Sequence, residues 1–377
     1  MAENSLEELF GRLGRYPDVE APNLQAWDAT DKLLIDTAAG ILTEENDVAV
    51  IGDRYGALSL GLLAGPRLSR VRVHQDLITG ERALRNNADK LGITGGYQQL
   101  PLGPELLAGA DAVLLQLPKT LAELEETVDA VARYAAPEAR LLAGGRVKHM
   151  SLGMNAVLER YFGSVQPQLA RQKSRLILAG QPKSPGNTPP FPVTEFNAGL
   201  DLHVAAHGAV FAGTKLDIGT RFLLAFLPDM PRARHAVDLG CGTGILAAMY
   251  ARRNPEAMVT ATDQSAAAVE SARGTATANG LADRVTVVQD DAMGSFPEGS
   301  ADLILLNPPF HLGASVHAGA GIKMFEAAAR VLAPGGELWT VFNSHLHYGA
   351  ALERLVGPTR IKGKNPKFTV AVSVRRA

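Results

Sequence analysis

The amino-acid sequence predicts two tandem α/β units, each a largely parallel sheet with helices on both faces, the first a degenerate copy of the second. Three observations predict this. Short apolar runs that read as buried strands alternate with helical stretches, which is the pattern of parallel-sheet units. A stretch crowded with proline and glycine, residues 182–192, divides the 377-residue chain almost in half and reads as a domain crossover. A set of short anchors also occurs twice, in one order and at a nearly constant separation, which argues for duplication.

The second half is the better preserved. The strand Ala236-Val237-Asp238-Leu239 enters a glycine-rich turn, Gly240-Cys241-Gly242-Thr243-Gly244, and an alanine-rich helix follows from about Ile245. Glycines in such a turn let the backbone approach a ligand closely. The next strand, residues 258–262, ends in Asp263. An acid about 20 residues beyond the glycines is placed to bind ribose hydroxyls. A third strand, residues 285–288, ends in Asp290-Asp291-Ala292, a position suited to an adenine amine. A fourth, residues 303–306, delivers Asn307. Open parallel sheets bind ligands at such strand ends. The Gly-x-Gly-x-x-Gly spacing of nicotinamide enzymes is absent.

Asn307-Pro308-Pro309-Phe310 is poor material for continuing a strand, because proline donates no hydrogen bond and ends the ladder. It suits chemistry on a planar amine. The Asn307 side-chain oxygen can accept one amine hydrogen, and the Pro308 carbonyl can accept the other. Phe310 can stack on the attached ring. The nitrogen lone pair then points out of the ring plane toward an electrophile. His311 is adjacent, but nothing marks it as a general base rather than a hydrogen-bonded loop residue.

The first half repeats this layout. Gly52 and Gly56 stand 188 residues before Gly240 and Gly244. Residues 110–119 stand 191 before residues 301–310, and Ala136-Pro137, Leu158-Glu159-Arg160 and Lys173 recur 197, 194 and 194 residues on. The copies differ where the chemistry sits. Asp238, Gly242, Asn307, Pro308 and Phe310 correspond to Val50, Arg54, Gln116, Leu117 and Lys119, while Asp76 still ends the second strand. A guanidinium at Arg54 would project where a cofactor should lie. The first half is therefore expected to keep the fold without catalysis, and to bind, position or stabilise.

Composition narrows the function classes. Hydrophobic residues make up 46% of the chain, and the net charge of −2 predicts no general affinity for nucleic acid; only local patches can supply it. After Glu353 come Arg354, Arg360, Lys362, Lys364, Lys367, Arg375 and Arg376 with no acid among them, and Arg171, Lys173 and Arg175 precede the crossover. These fit a phosphate-contacting face or a merely solvated terminus. The one cysteine, Cys241, rules out an intrachain disulfide and fits a reducing compartment. The acidic N-terminus is not read as a signal peptide. No apolar run approaches membrane-spanning length. The nine histidines are scattered, so no metal is expected.

The order Asp-x-Gly-x-Gly-x-Gly, then an acid, then Asp-Ala, then Asn-Pro-Pro-Phe resembles the class I (Rossmann-like) S-adenosylmethionine-dependent methyltransferases. In that family Asn-Pro-Pro-aromatic marks methylation of a planar or amide nitrogen. The whole chain resembles the bacterial ribosomal RNA guanine-N2 methyltransferases, in which a degenerate methyltransferase domain precedes an active one. Stretches 23–31, 117–121, 210–211 with 216–219, and 365–368 are similar to the branch acting on 23S RNA. The resemblance implies a degenerate domain at 1–184 that binds or positions RNA, and a catalytic domain at 185–377. It implies S-adenosylmethionine held by Asp238, Gly240, Gly242, Gly244, Asp263, Asp291 and Ala292. It implies catalysis by Asn307, Pro308, Pro309 and Phe310, a ribosomal RNA partner, no metal or membrane, and a cytoplasmic location. Other acceptors stay open: guanine in 16S RNA, adenine N6 or cytosine N4 in DNA, and a glutamine amide in protein. So does an RNA-binding factor with a vestigial pocket.

Overall fold

A computed structural model describes residues 3–65, 68–308 and 314–376. The chain divides into two compact units, Met1–Phe191 and Pro192–Ala377.

The first unit runs α1 (Glu3–Arg12), α2 (Ala29–Ile41), β1 (Val48–Ile51), α3 (Ala57–Ala64), β2 (Val71–His74), α4 (Ile78–Leu91), β3 (Tyr97–Gln99), α5 (Pro104–Leu107), β4 (Ala112–Gln116), α6 (Leu121–Tyr134), β5 (Arg140–Arg146), α7 (Leu152–Tyr161), β6 (Phe162–Pro167) and β7 (Ser174–Pro182). Its sheet has the order β3-β2-β1-β4-β5-β7-β6. The first five strands in that order run parallel, and β7 is antiparallel to both neighbours. Helices form where caps and apolar stripes agree. Asp28 caps α2 by accepting from the Thr30 amide, and Asp31 reaches back to the Asp28 amide, a reciprocal box that satisfies two otherwise orphaned donors.

The second unit opens with a hairpin, β8 (Val193–Asn197) and β9 (Leu202–Ala206). It continues through α8 (Ile218–Leu224), β10 (His235–Leu239), α9 (Ile245–Arg253), β11 (Met258–Asp263), α10 (Ala266–Ala278), β12 (Val285–Gln289), β13 (Ala301–Leu306), α11 (Ala314–Val331), β14 (Leu332–Asn343), α12 (Gly349–Leu355), β15 (Thr359–Lys364) and β16 (Phe368–Val374). Its sheet order is β12-β11-β10-β13-β14-β16-β15, strand for strand that of the first unit. The hairpin is an addition of the second unit and stands outside that order.

The central strands explain both cores. Along β13, Leu303 and Leu305 enter one apolar cluster while Ile304 and Leu306 enter another. Along β1, Val48 and Val50 part from Ala49 and Ile51 in the same way. A strand alternates its side chains between faces, so an unbroken apolar run signals a sheet covered by helices on both sides. Among the described residues no helix is long and apolar enough to cross a membrane.

Candidate functional site

Register gathers the candidate residues at one edge of the second sheet. β10 places Leu239 beside Thr262 of β11 and Leu306 of β13, and β11 places Asp263 beside Gln289 of β12. Four neighbouring strands therefore end in Gly240, Asp263, Asp290-Asp291 and Asn307.

The three turn glycines all have left-handed backbones, with φ of +72° at Gly240, +52° at Gly242 and +75° at Gly244, which side chains rarely tolerate. Their roles differ. A Cβ on Gly244 would lie 2.9 Å from the Ala272 Cβ on α10, so this glycine lets two helices pack closely. Around Gly242 no atom of the described residues, its chain neighbours aside, stands within 4 Å of that position, which leaves room for a ligand. Asp238 lies under the turn with 0% exposure. Its Oδ2 accepts from the Ala247 amide at 2.9 Å, and its Oδ1 has no partner. Burial pushes its carboxyl up to about 7 against the pull of the Ala247 amide, and the charge of Asp263 adds to the rise. Asp238 and Gly244 thus shape the turn from beneath, while Gly242 borders the open side.

Asp263 accepts from the Gly242 amide at 3.0 Å and the Ser265 amide at 3.1 Å. At the next strand end the two acids divide the labour. Asp290 accepts from the amides of Asp291 and Ser295 and from the Ser295 hydroxyl. Those bonds close its own turn, in which Ala292 and Met293 take positive φ of 48° and 56°. Asp291 receives Lys323 Nζ at 2.7 and 2.6 Å. Lys323 stands on α11, 32 residues away, and nothing in the local pattern marks it.

Asn307 is held most specifically. Its Nδ2 donates to Asp217 Oδ2 at 3.0 Å and to Thr220 Oγ1 at 2.9 Å. Both amide hydrogens are then committed, and the buried Oδ1 has no partner among the described residues. Asp217 also caps α8 by accepting from the Thr220 amide. Gly219 leaves room for this contact, since a Cβ there would lie 3.0 Å from Asp217 Oδ2 and 3.1 Å from Asn307 Oδ1. The capping signature Asp-x-x-Thr was visible in the sequence, but not which strand end it would meet. Pro308 is buried; Pro309, Phe310 and His311 lie outside the described residues. Among the described residues no group of three or more histidines, cysteines and acids could hold a metal.

Residues 201–372 match the family model of the methyltransferase small domain, and residues 1–184 match that of the RLMG N-terminal domain. The ribosomal RNA large subunit methyltransferase G of Pseudomonas aeruginosa (strain UCBPP-PA14) is 39% identical over 365 residues, covering 95% of this chain and 96% of that protein. The protein of the same name from Streptomyces coelicolor is 35% identical over 377 residues, with 96% and 97% coverage. Among solved structures, the Thermus thermophilus 16S rRNA N2 G1207 methyltransferase (RsmC) in complex with AdoMet and guanosine superposes with a TM-score of 0.74 at 22% identity, over 98% of this chain and 99% of that one. Its likeness extends across both units, so the paired-domain architecture is shared. With end-to-end identity of this order joined to both domain models, the chain belongs to the ribosomal RNA large subunit methyltransferase G family.

Proposed function

We propose that the second unit transfers a methyl group from S-adenosylmethionine to the exocyclic N2 amine of a guanine in 23S ribosomal RNA, in the cytoplasm where ribosomes are assembled. One observation carries the amine reading: Asn307 has both amide hydrogens engaged by Asp217 and Thr220 while its oxygen is buried and unpartnered among the described residues. Leaving a buried acceptor unsatisfied costs about 1–3 kcal/mol, so this oxygen is built to receive a donor. The large-subunit names of the relatives favour 23S over 16S RNA.

The residues present fit the cofactor. Among the described residues the turn is open over Gly242, and Asp263, at the end of the neighbouring strand, is the acid for the ribose hydroxyls. Asp291 is the acid for the adenine amine, provided Lys323 yields part of its carboxylate. Ala292 lines the same strand end. When bound, S-adenosylmethionine supplies a methyl group already made electrophilic by its sulfonium. The protein's task is to hold the acceptor in line and keep water out. Asn307 Oδ1 accepts one N2 hydrogen, the Pro308 carbonyl the other, and Phe310 with Pro309 fixes the base plane. As charge develops on nitrogen, these acceptors strengthen, and the surplus proton leaves afterwards. The N2 amine lies on the Watson–Crick edge, so the base must be unpaired or flipped out to reach Asn307. The first unit binds or positions the RNA.

The test is transfer of tritiated methyl to ribosomal RNA from a strain lacking this protein, followed by nucleoside analysis. N2-methylguanosine in the large-subunit RNA is the expected product. Label in N6-methyladenosine, or in 16S RNA alone, overturns the assignment.

A further inference from the structure

In the first unit the strand ends that correspond to the cofactor edge still border a cavity, of about 460 Å³. That is within the range of small-molecule sites, roughly 300–1,000 Å³. Its lining is chemically unlike the second unit's. Gly52 and Gln116 lie at the strand ends; Trp27 and Tyr55 supply aromatic surface, each with one ring contact already made, to Phe10 at 4.7 Å and to the Arg15 guanidinium at 4.5 Å; and four cations, Arg54, Lys119, Arg146 and Lys148, contribute to the wall. None of these four has an ion pair or side-chain hydrogen bond among the described residues. The neighbouring Arg15, by contrast, is committed to Asp18 at 3.0 Å. The same four cations act together on His149 at the cavity, whose pKa is lowered by burial first and then by each of them. Two of the acids nearby are pushed toward the neutral form, while Asp28, which also lines the cavity, accepts from the Thr30 amide. Burial, with Asp53 adding to it, pushes Asp31 up to about 7. Burial, with Asp76 adding to it, pushes Glu123 up to about 7 against the pull of Arg54 and Lys119. Asp53 is buried and spends both oxygens on the amides of Gly56, Leu58 and Ser59.

We propose that this cavity is a binding site for a phosphate-linked nucleotide of single-stranded RNA, with its phosphates held by Arg54, Lys119, Arg146 and Lys148 and its base set against Trp27 and Tyr55. Single-stranded RNA is bound through this combination, a cationic groove with aromatic surface for unstacked bases. S-adenosylmethionine does not fit the same lining, because Arg54 replaces the open glycine position. The proposal rests on the RNA reading above and narrows it to one pocket.

Full-length protein is titrated with a fluorescently labelled ten-nucleotide oligoribonucleotide at several salt concentrations, and S-adenosylmethionine affinity is measured by calorimetry on the same samples. Arg54→Ala/Lys119→Ala, at two exposed positions, should weaken RNA binding about tenfold or more. The salt slope should become shallower by about 0.7 for each phosphate that is no longer neutralised. Cofactor affinity and melting should stay at the wild-type level. Lys148→Ala, also exposed, should weaken binding in the same direction. Trp27 should be quenched by RNA in wild type and less in the double variant. If both variants bind RNA with wild-type affinity and slope, the pocket assignment fails and the RNA substrate stands. If wild type does not bind RNA, both fail.

Discussion

Two strand ends, Gln116 in the first unit and Asn307 in the second, show what survives when a copy of a fold loses its chemistry. Each carries a side-chain amide that donates to an acid near the start of the helix leading into its unit's glycine-turn strand. Gln116 Nε2 reaches Asp31 at 2.5 Å, and Asn307 Nδ2 reaches Asp217 at 3.0 Å. The glycine turns divide in a similar way. A Cβ on Gly56 would meet Leu84 of α4 at 2.6 Å, as one on Gly244 would meet Ala272 of α10. The helix-packing glycine is thus present in both copies. The middle glycine, Gly242, has none of the described residues packed over it beyond its chain neighbours and becomes Arg54, which is not among the residues with positive φ. Features that hold elements together persist. The open glycine position and the Asn-Pro-Pro-Phe strand end do not.

The acids under the turns sharpen this. In the second unit Asp238, at the end of β10, accepts from the Ala247 amide. In the first unit that strand position is Val50, and Asp53, within the turn itself, accepts from the equivalent amide of Ser59 at 2.7 Å. The need to satisfy an orphaned helix amide is met in both copies, from different places in the chain. Only Asp238 keeps a free oxygen.

The largest contrast is expected at the amides. Asn307→Ala should lower the single-turnover methylation rate on the order of 100- to 1,000-fold, the usual cost of losing one preorganised transition-state partner, with cofactor affinity near normal. Gln116→Ala should leave that rate unchanged. Equal rates for Asn307→Ala and wild type would remove the amine clamp. A smaller effect is expected at the middle turn position. Gly242→Arg forces a side chain into a backbone with φ of +52°, which costs roughly 1–2 kcal/mol, and fills the open space above it. Calorimetry should show at least a tenfold loss of S-adenosylmethionine affinity, while the reverse change, Arg54→Gly, should create no second site. Cofactor binding by Arg54→Gly at the first unit would break the comparison.

The smallest effect concerns pH. Asp238 is held up to about 7 by burial, whereas an unfolded aspartate titrates near about 3.9. Between these values the folded protein holds a proton that the unfolded chain has released. Stability from this group is therefore present below about pH 4 and falls as pH rises toward about 7. Asp238→Asn keeps an oxygen for the Ala247 amide and should flatten that loss, seen as a denaturation midpoint that changes less between pH 5 and 8 than in wild type. Asp53→Asn should instead destabilise by about 1–3 kcal/mol at acid pH, because both Asp53 oxygens already accept amides, and that deficit should shrink as pH rises, because burial raises the Asp53 carboxyl as well. A wild-type midpoint that does not fall toward pH 8 would contradict the burial argument.

Much of this was legible in the sequence because its causes are local. An apolar run of strand length, a glycine turn and an acid at a fixed interval each follow from backbone geometry and solvent exclusion within a few residues. So the repeated order of strands, the polar strand ends and the place of Asn307 were all readable from the chain. Tertiary structure alone decided the partners. Asn307 meets Asp217 across 90 residues, Lys323 meets Asp291 across 32, and the cations of the first unit come together around one cavity from three separate segments. It also separated Asp290 from Asp291, and Gly242 from Gly244, pairs that look alike in the chain. Periodicity says which face of an element is buried. Which side chain stands opposite is set by how the sheet orders its strands and where each helix lands on it.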